Sequence, residues 1–251
     1  MNIIYDCRWS DRVDEKFIQD FNTVKVNVFH GEYSVEEFKR QLVDNIYGRS
    51  VVVVVYMDNK PVAARALWRN DIGVIEAYQP GQTCVTEICR GQGIFTEMTR
   101  RSIQMLSPQA IIYNFPNKNS YPGYIKMGWQ LVGEYRPRVL FSIKQYEREH
   151  LLDIDEKYVR WWILNRAGIK YVMFRGQYFL CRKDTPRPFV HIIGRTTKNA
   201  ALLFPRVDGH VLCFYNSTKK TFYNKNYSPL RVVSKGEIEK IYIPTWKLDV
   251  L

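Results

Sequence analysis

The chain has little with which to build a cross-linked or metal-bound protein. Its five cysteines (Cys7, Cys84, Cys89, Cys181 and Cys213) are odd in number and never spaced C-x-x-C, and its four histidines (His30, His150, His191 and His210) are scattered. Neither a disulfide framework nor a zinc site is implied, so reduced thiols and no metal are expected. Long hydrophobic runs are also missing. The longest purely apolar stretch, Val51 to Val55 followed by Tyr56 and Met57, falls far short of the roughly 20 residues of a membrane helix. The opening residues, MNIIYDCRWSD, lack the basic-then-apolar order of a secretory signal, and a cytoplasmic protein with no membrane partner is expected. No internal repeat and no low-complexity tract stands out.

What the chain does have is core-forming material. Its 251 residues are 46% hydrophobic and 14% aromatic, ample for one large or two modest domains. Acidic charge is scarce in one part only. Residues 1–150 hold 19 Lys/Arg against 17 Asp/Glu, whereas residues 151–251 hold 18 against 8, so most of the net charge of +12 lies in the second segment. Such asymmetry fits an anionic partner near the C-terminal part, or simply a solvated basic face.

Periodicity divides the chain in the same place. IIYDCRW reads as an opening strand and SVEEFKRQLVDNIYG as a helix, with Ser34 and Glu37 as a capping box, Val35, Phe38, Leu42 and Ile46 as one apolar stripe, and Gly48 as its end. SVVVVVYMDNKPVAARALW reads as a hairpin turning at Asp58–Asn59–Lys60. There follow an extended stretch interrupted at Pro80–Gly81, a helix IFTEMTRRSIQML, a buried strand AIIYNF, a short helix SYPGYIKMG and a long strand WQLVGEYRPRVLFSI. This order predicts an α/β (α+β) domain over residues 1–148, a mixed β-sheet flanked by helices. Residues 149–251 are predicted to form a smaller, basic, β-rich lobe: one helix DIDEKYVRWWILN, then the strands KYVMF, QYFLC, PFVHIIG, AALLF and, after a turn at Asp208–Gly209, HVLCFY.

One short stretch carries chemistry. Arg90-Gly91-Gln92-Gly93 sits between an extended segment and an amphipathic helix, where unpaired N–H groups and the positive end of the helix dipole converge beside a cation. The alternative is a turn that needs glycine for steric reasons alone. It lacks the third glycine of a dinucleotide fingerprint and the Gly-Lys-Ser/Thr of a P-loop. A second motif follows at Asn117, Ser120, Tyr124, Gly128 and Trp129.

Together the two stretches resemble the GNAT superfamily, the GCN5-related N-acetyltransferases. The family's R/Q-x-x-G-x-G/A signature is similar to Arg90 through Phe95, and its N-x-x-A-x-x-x-Y-x-x-x-G-F pattern to Asn117 through Trp129. Phe95 departs by replacing a small residue, Ser120 by replacing alanine and Trp129 by replacing phenylalanine. The resemblance covers roughly residues 1–145; in some relatives a second, degenerate half follows, and the Trp161–Trp162 helix with its strands is a candidate for one.

The resemblance implies an acyl-CoA-dependent N-acyltransferase, most simply one that moves acetyl from acetyl-CoA to a primary amine on a small, anionic, amino-sugar or nucleotide-linked acceptor by direct attack in a ternary complex. It implies that backbone N–H groups of Gln92, Gly93, Ile94 and Phe95 hold the coenzyme A pyrophosphate, with Arg90 and Gly91 opening the loop. Val85 and Glu87 would pair through their backbones with the pantetheine arm, beside Asn117 and Ser120. Tyr124 would be the general acid, since a phenol, with an ordinary pKa of about 10, keeps its proton at neutral pH. Glu76 and Glu87 are the candidate bases, both expected on the strand ahead of the loop. Cys89 is expected to be a packed thiol rather than a nucleophile. A different class remains open: a non-catalytic nucleic-acid or anionic-glycan binding protein on the same scaffold. The cation- and aromatic-rich stretches RKDTPRPFVHIIGR and STKKTFYNKNY would suit either partner.

Overall fold

The computed structural model describes residues 2–150, 152–182, 189–207, 211–219 and 228–235. The turn expected at Asp208–Gly209, and residues 183–188 and 220–227 of the two cation- and aromatic-rich stretches, lie outside the described residues. The chain divides into two compact units. One runs to Gln130 and includes Ser234 and Lys235; the other is Leu131–Val233.

The first unit is a mixed sheet in the order β1-β2-β3-β4-β5, built from Ile3–Trp9 (β1), Val51–Met57 (β2), Lys60–Arg69 (β3), Ala77–Val85 (β4) and Ile111–Asn114 (β5). The β2–β3 hairpin turns where expected, with Asp58 and Asn59 both left-handed (φ 47° and 64°), the conformation a two-residue turn needs to match strand twist. Val51 to Val55 are all fully buried, because both faces of β2 are covered. One face packs on helix α3 (Ile94–Gln104): Val53, Val55, Val62 and Ala63 meet Cys89, Ile94 and Met98. The helix Glu15–Phe29 (α1), started by Asp14, lies against β3 and β4.

Two expectations change. The helix begun at Ser34 has the predicted cap, Ser34 Oγ accepting from Glu37 N at 3.0 Å. After Val35–Phe38 (α2), however, it widens into a π-turn over Lys39–Val43 and stops, which rotates Ile46 off the apolar stripe and leaves it exposed. β4 is not broken at Pro80–Gly81; it runs through them, and the irregularity is a bulge one residue later, where Gln82 has φ +50° and the register against β3 slips between Ala64 and Ala66. β4 and β5 run parallel and pair only at Ala77–Ile111 and Tyr78–Ile112 among the described residues, so most of β4 has no partner on that side. Beyond β5 come the short helix Tyr121–Lys126 (α4) and the left-handed Gly128 (φ 77°) that ends it.

The second unit holds all but the first residue of Gln130–Val139 (β6), helices Ile143–Glu149 (α5) and Glu156–Trp161 (α6), and strands Ile169–Phe174 (β7), Gln177–Arg182 (β8) and Phe189–Thr196 (β9). Then come the short helix Lys198–Ala201 (α7), Leu212–Ser217 (β10) and Leu230–Lys235 (β11), the last up to Val233. Its strand order is β11-β6-β10-β9-β8-β7. The expected single helix over 153–165 is cut short at its start by Asp155, which caps Lys157 N at 2.6 Å, and passes into a 3₁₀ turn at Ile163. AALLF is not a strand: Thr197 Oγ1 accepts from Ala200 N at 3.2 Å and starts α7 across its first two residues. The core gathers Leu140, Tyr146, Phe179, Cys181, Val190, Ile192 and Tyr215. Among the described residues no helix is long and apolar enough to cross a membrane.

Candidate active site

β4 ends at Val85 and the chain makes a 3₁₀ turn at Glu87–Cys89 before the glycines. Gly91 and Gly93 are both left-handed, with φ 78° and 77°, so the turn does need glycine; yet a Cβ on either would meet nothing within 4 Å. The backbone there is open to an approaching group as well as sterically special. Gly93 is the N-cap of α3 and offers no side chain to the first-turn amides, the first intrahelical bond being Glu97 N to Gly93 O at 3.0 Å. Arg90 folds its Nε back onto Val85 O at 3.3 Å. Glu97, in the same first turn, is bound by Arg100 and Arg101 at 2.6 Å each, and these cations hold its carboxyl down at about 2.

Asn117 starts the second half of the site. Its Oδ1 accepts from Asn119 N and Ser120 N at 3.0 Å, which caps the turn into α4. One turn on, Tyr124 is buried, its ring edge-on to Trp129 at 4.7 Å and to Phe95 at 5.6 Å. The phenol oxygen accepts a hydrogen bond from Arg65 Nη2 at 2.9 Å. Phe95, second residue of α3, is accommodated because residue 123 is glycine: a Cβ there would come within 3.2 Å of the Phe95 ring.

The two carboxylates do not sit together. Glu76 immediately precedes β4 and its Oε1 accepts from Tyr78 Oη at 2.9 Å; Glu87 lies past the other end of that strand, exposed, in the 3₁₀ turn. Nine strand residues lie between them, so the two carboxylates flank opposite ends of β4. Neither is on β4 as expected, and the Glu87 carbonyl already accepts from Arg90 N at 3.1 Å. Cys89 is buried against Met57, its Sγ 4.0 Å from Sδ. All five thiols are free; burial pushes Cys84 and Cys181 up to about 12 and Cys213 to about 11.

Sequence reasoning missed a polar cluster at the β4 bulge. Lys25 of α1 donates to Gln82 Oε1 at 3.1 Å and lies 3.8 Å above the Tyr33 ring, while Gln82 Nε2 donates to Gln41. Burial pushes Lys25 down to about 8. Alongside, a cleft of about 330 Å³ is lined by Gln19, Asn22, Thr23, Val26, Asn27, Tyr33 and Val35. It missed Arg65 too, since nothing near AARALW marks that residue as anything but a strand cation.

The family model described as "Acetyltransferase (GNAT) domain" matches residues 10–132. Residues 10–132 are a GNAT domain. Solved structures share its fold over both units at low identity. A GCN5-related N-acetyltransferase from Anabaena variabilis aligns with a TM-score of 0.56 at 13% identity, over 91% of this chain and 72% of that one. A conserved protein of unknown function from Enterococcus faecalis gives 0.55 at 13%, over 92% and 72%. A Pyrococcus horikoshii protein classed only provisionally as an acetyltransferase gives 0.53 at 12%, over 94% and 91%. No curated protein matches the sequence. Within the GNAT domain the left-handed glycine turn, the uncapped start of α3 and the unpaired length of β4 are features that fit a pyrophosphate-bearing, extended donor such as acetyl-CoA.

Proposed function

We propose that this chain is an acyl-CoA-dependent N-acyltransferase, transferring acetyl to a primary amine on a small anionic acceptor by direct attack in a ternary complex. One observation carries the reading. Phe95 belongs to the first turn of α3 and its ring touches Tyr124, which supports reading the glycine turn and the acid as parts of one site.

Bound acetyl-CoA supplies an activated acyl group as a thioester. Amides of Gln92, Gly93, Ile94 and Phe95, with Arg90 and the open Gly91, hold its pyrophosphate. Val85 and the Glu87 amide meet the pantetheine arm where β4 lacks a partner, and Asn117 and Ser120 flank it. Tyr124 donates a proton to the departing thiolate. Glu76 or Glu87 takes the proton from the amine, and the glutamine variant of each decides between them. A cleft of about 330 Å³ beside α1 is of a size for a small acceptor.

Mass action requires acetyl-CoA to raise the melting temperature if it binds the folded chain. No shift at millimolar acetyl-CoA and no calorimetric binding would sink this reading; binding to oligonucleotides that weakens steeply with salt would favour the non-catalytic alternative. The acceptor is sought by screening amines, amino-sugar nucleotides included, for thiol release. With a true acceptor, Tyr124→Phe is expected to lower turnover by about 100-fold or more.

A further inference from the structure

Arg65 is a buried cation with no ion pair among the described residues. It sits on the central strand β3, fully buried, and Nη2 bonds to Tyr124 Oη at 2.9 Å. Among the described residues Nε and Nη1 have no hydrogen-bond partner. The guanidinium carbon lies 5.0 Å from the centre of the Phe95 ring and 5.7 Å from that of Tyr124. A buried cation without a counter-ion is costly, and ring faces recover only part of that cost. Tyr124 meets Arg65 from β3, Phe95 from α3 and Trp129 beyond α4, and of these three the arginine is the charged one.

Resting on the acyl-transfer reading, we infer that Arg65 is the positioning residue for Tyr124: it fixes the phenol oxygen and stabilises the phenolate formed during turnover. As the amine nitrogen bonds to the acyl carbon, the C–S bond breaks and its electron pair goes to sulfur. The Tyr124 O–H bond breaks and an S–H bond forms, leaving a phenolate against the guanidinium. Solvent returns a proton to the phenolate, balancing the one the amine released. Because Arg65 donates to the oxygen, the hydroxyl hydrogen is directed away from the cation, free for the thiolate. The unmatched charge of the resting site is matched only when the reaction generates an anion, which is preorganised stabilisation.

The test compares Arg65→Met, which replaces the cation with an apolar chain of similar reach, and Arg65→Lys, which keeps the charge and guards against loss of fold. Tyrosines are labelled with ¹³C at Cζ, and the Tyr124 signal is identified by its absence in Tyr124→Phe. At neutral pH the Tyr124 signal is expected to shift in Arg65→Met and to stay close to the wild type in Arg65→Lys, since only the apolar variant removes the hydrogen bond to the phenol oxygen. A Tyr124 signal that does not move in Arg65→Met overturns the proposal whatever the activity shows. In single-turnover thiol release from acetyl-CoA with the identified acceptor, Arg65→Met is expected to lose about 100-fold in rate. Acetyl-CoA affinity should not change, and in the Tyr124→Phe background the further loss should be below about twofold. Additive losses would make Arg65 merely structural. Full turnover by Tyr124→Phe would sink the acid assignment and this proposal with it, while leaving acyl transfer itself standing.

Discussion

Phe95 stands where the family pattern wants a small side chain, and its neighbour explains how it is tolerated. Gly123 leaves the volume the ring occupies, so a methyl group placed there lies 3.2 Å from Phe95 Cε1. Gly123→Ala is therefore expected to overpack the site, lowering stability by about 1–3 kcal/mol and displacing Tyr124 through Phe95. Thermal melts and turnover measure it, and adding Phe95→Ala should restore part of both, because a small-small pair removes the clash. A double variant no better than Gly123→Ala would show that the two residues do not share that space. Phe95 was legible in the sequence as a departure. Its compensation was not, because Gly123 lies 28 positions on and only the packing of α4 beside α3 brings them together.

At the scale of the element, the turn into α3 sets the donor site. Gly91 and Gly93 adopt φ 78° and 77° with open space around them, so alanine would meet no clash and only the left-handed strain. Gly93→Ala is expected to cost about 1–2 kcal/mol in the free protein. It should also shrink the melting-temperature rise produced by acetyl-CoA, because a relaxed turn no longer aims its amides at one point. An undiminished rise would place the pyrophosphate elsewhere. Helices and strands around this turn were legible wherever the signal was local: the Ser34 cap, the Asp58–Asn59 turn and the Gly128 stop all sit where spacing put them. The π-turn at Lys39–Val43 and the bulge at Gln82 were not legible, since no feature of the local pattern marks either.

For the molecule as a whole, pH reaches the second unit through His150. The ring is buried, stacked 4.3 Å from Tyr146, and its Nε2–H donates to Asn216 O at 2.8 Å in the neutral form. Burial pushes it down to about 4, outweighing that contact and the nearby Glu149. The unfolded chain takes up the proton near its ordinary value of about 6.5, so stability is expected to fall as pH drops from there toward 4, by about 2 kcal/mol at pH 5. Calorimetry at pH 7.5 and 5.0 checks this, and His150→Asn should flatten the difference; an unchanged difference would assign it to other groups. What the sequence alone determined was local: two motifs at their proper spacing, the glycines that only a left-handed turn explains, and alternating strand and helix periods that announce a mixed sheet. Tertiary structure alone decided which side chains share a site. Arg65 and Tyr124 are 59 positions apart and Lys25 and Gln82 are 57 apart, and such contacts leave no periodic trace because folding, not neighbouring sequence, supplies the partner.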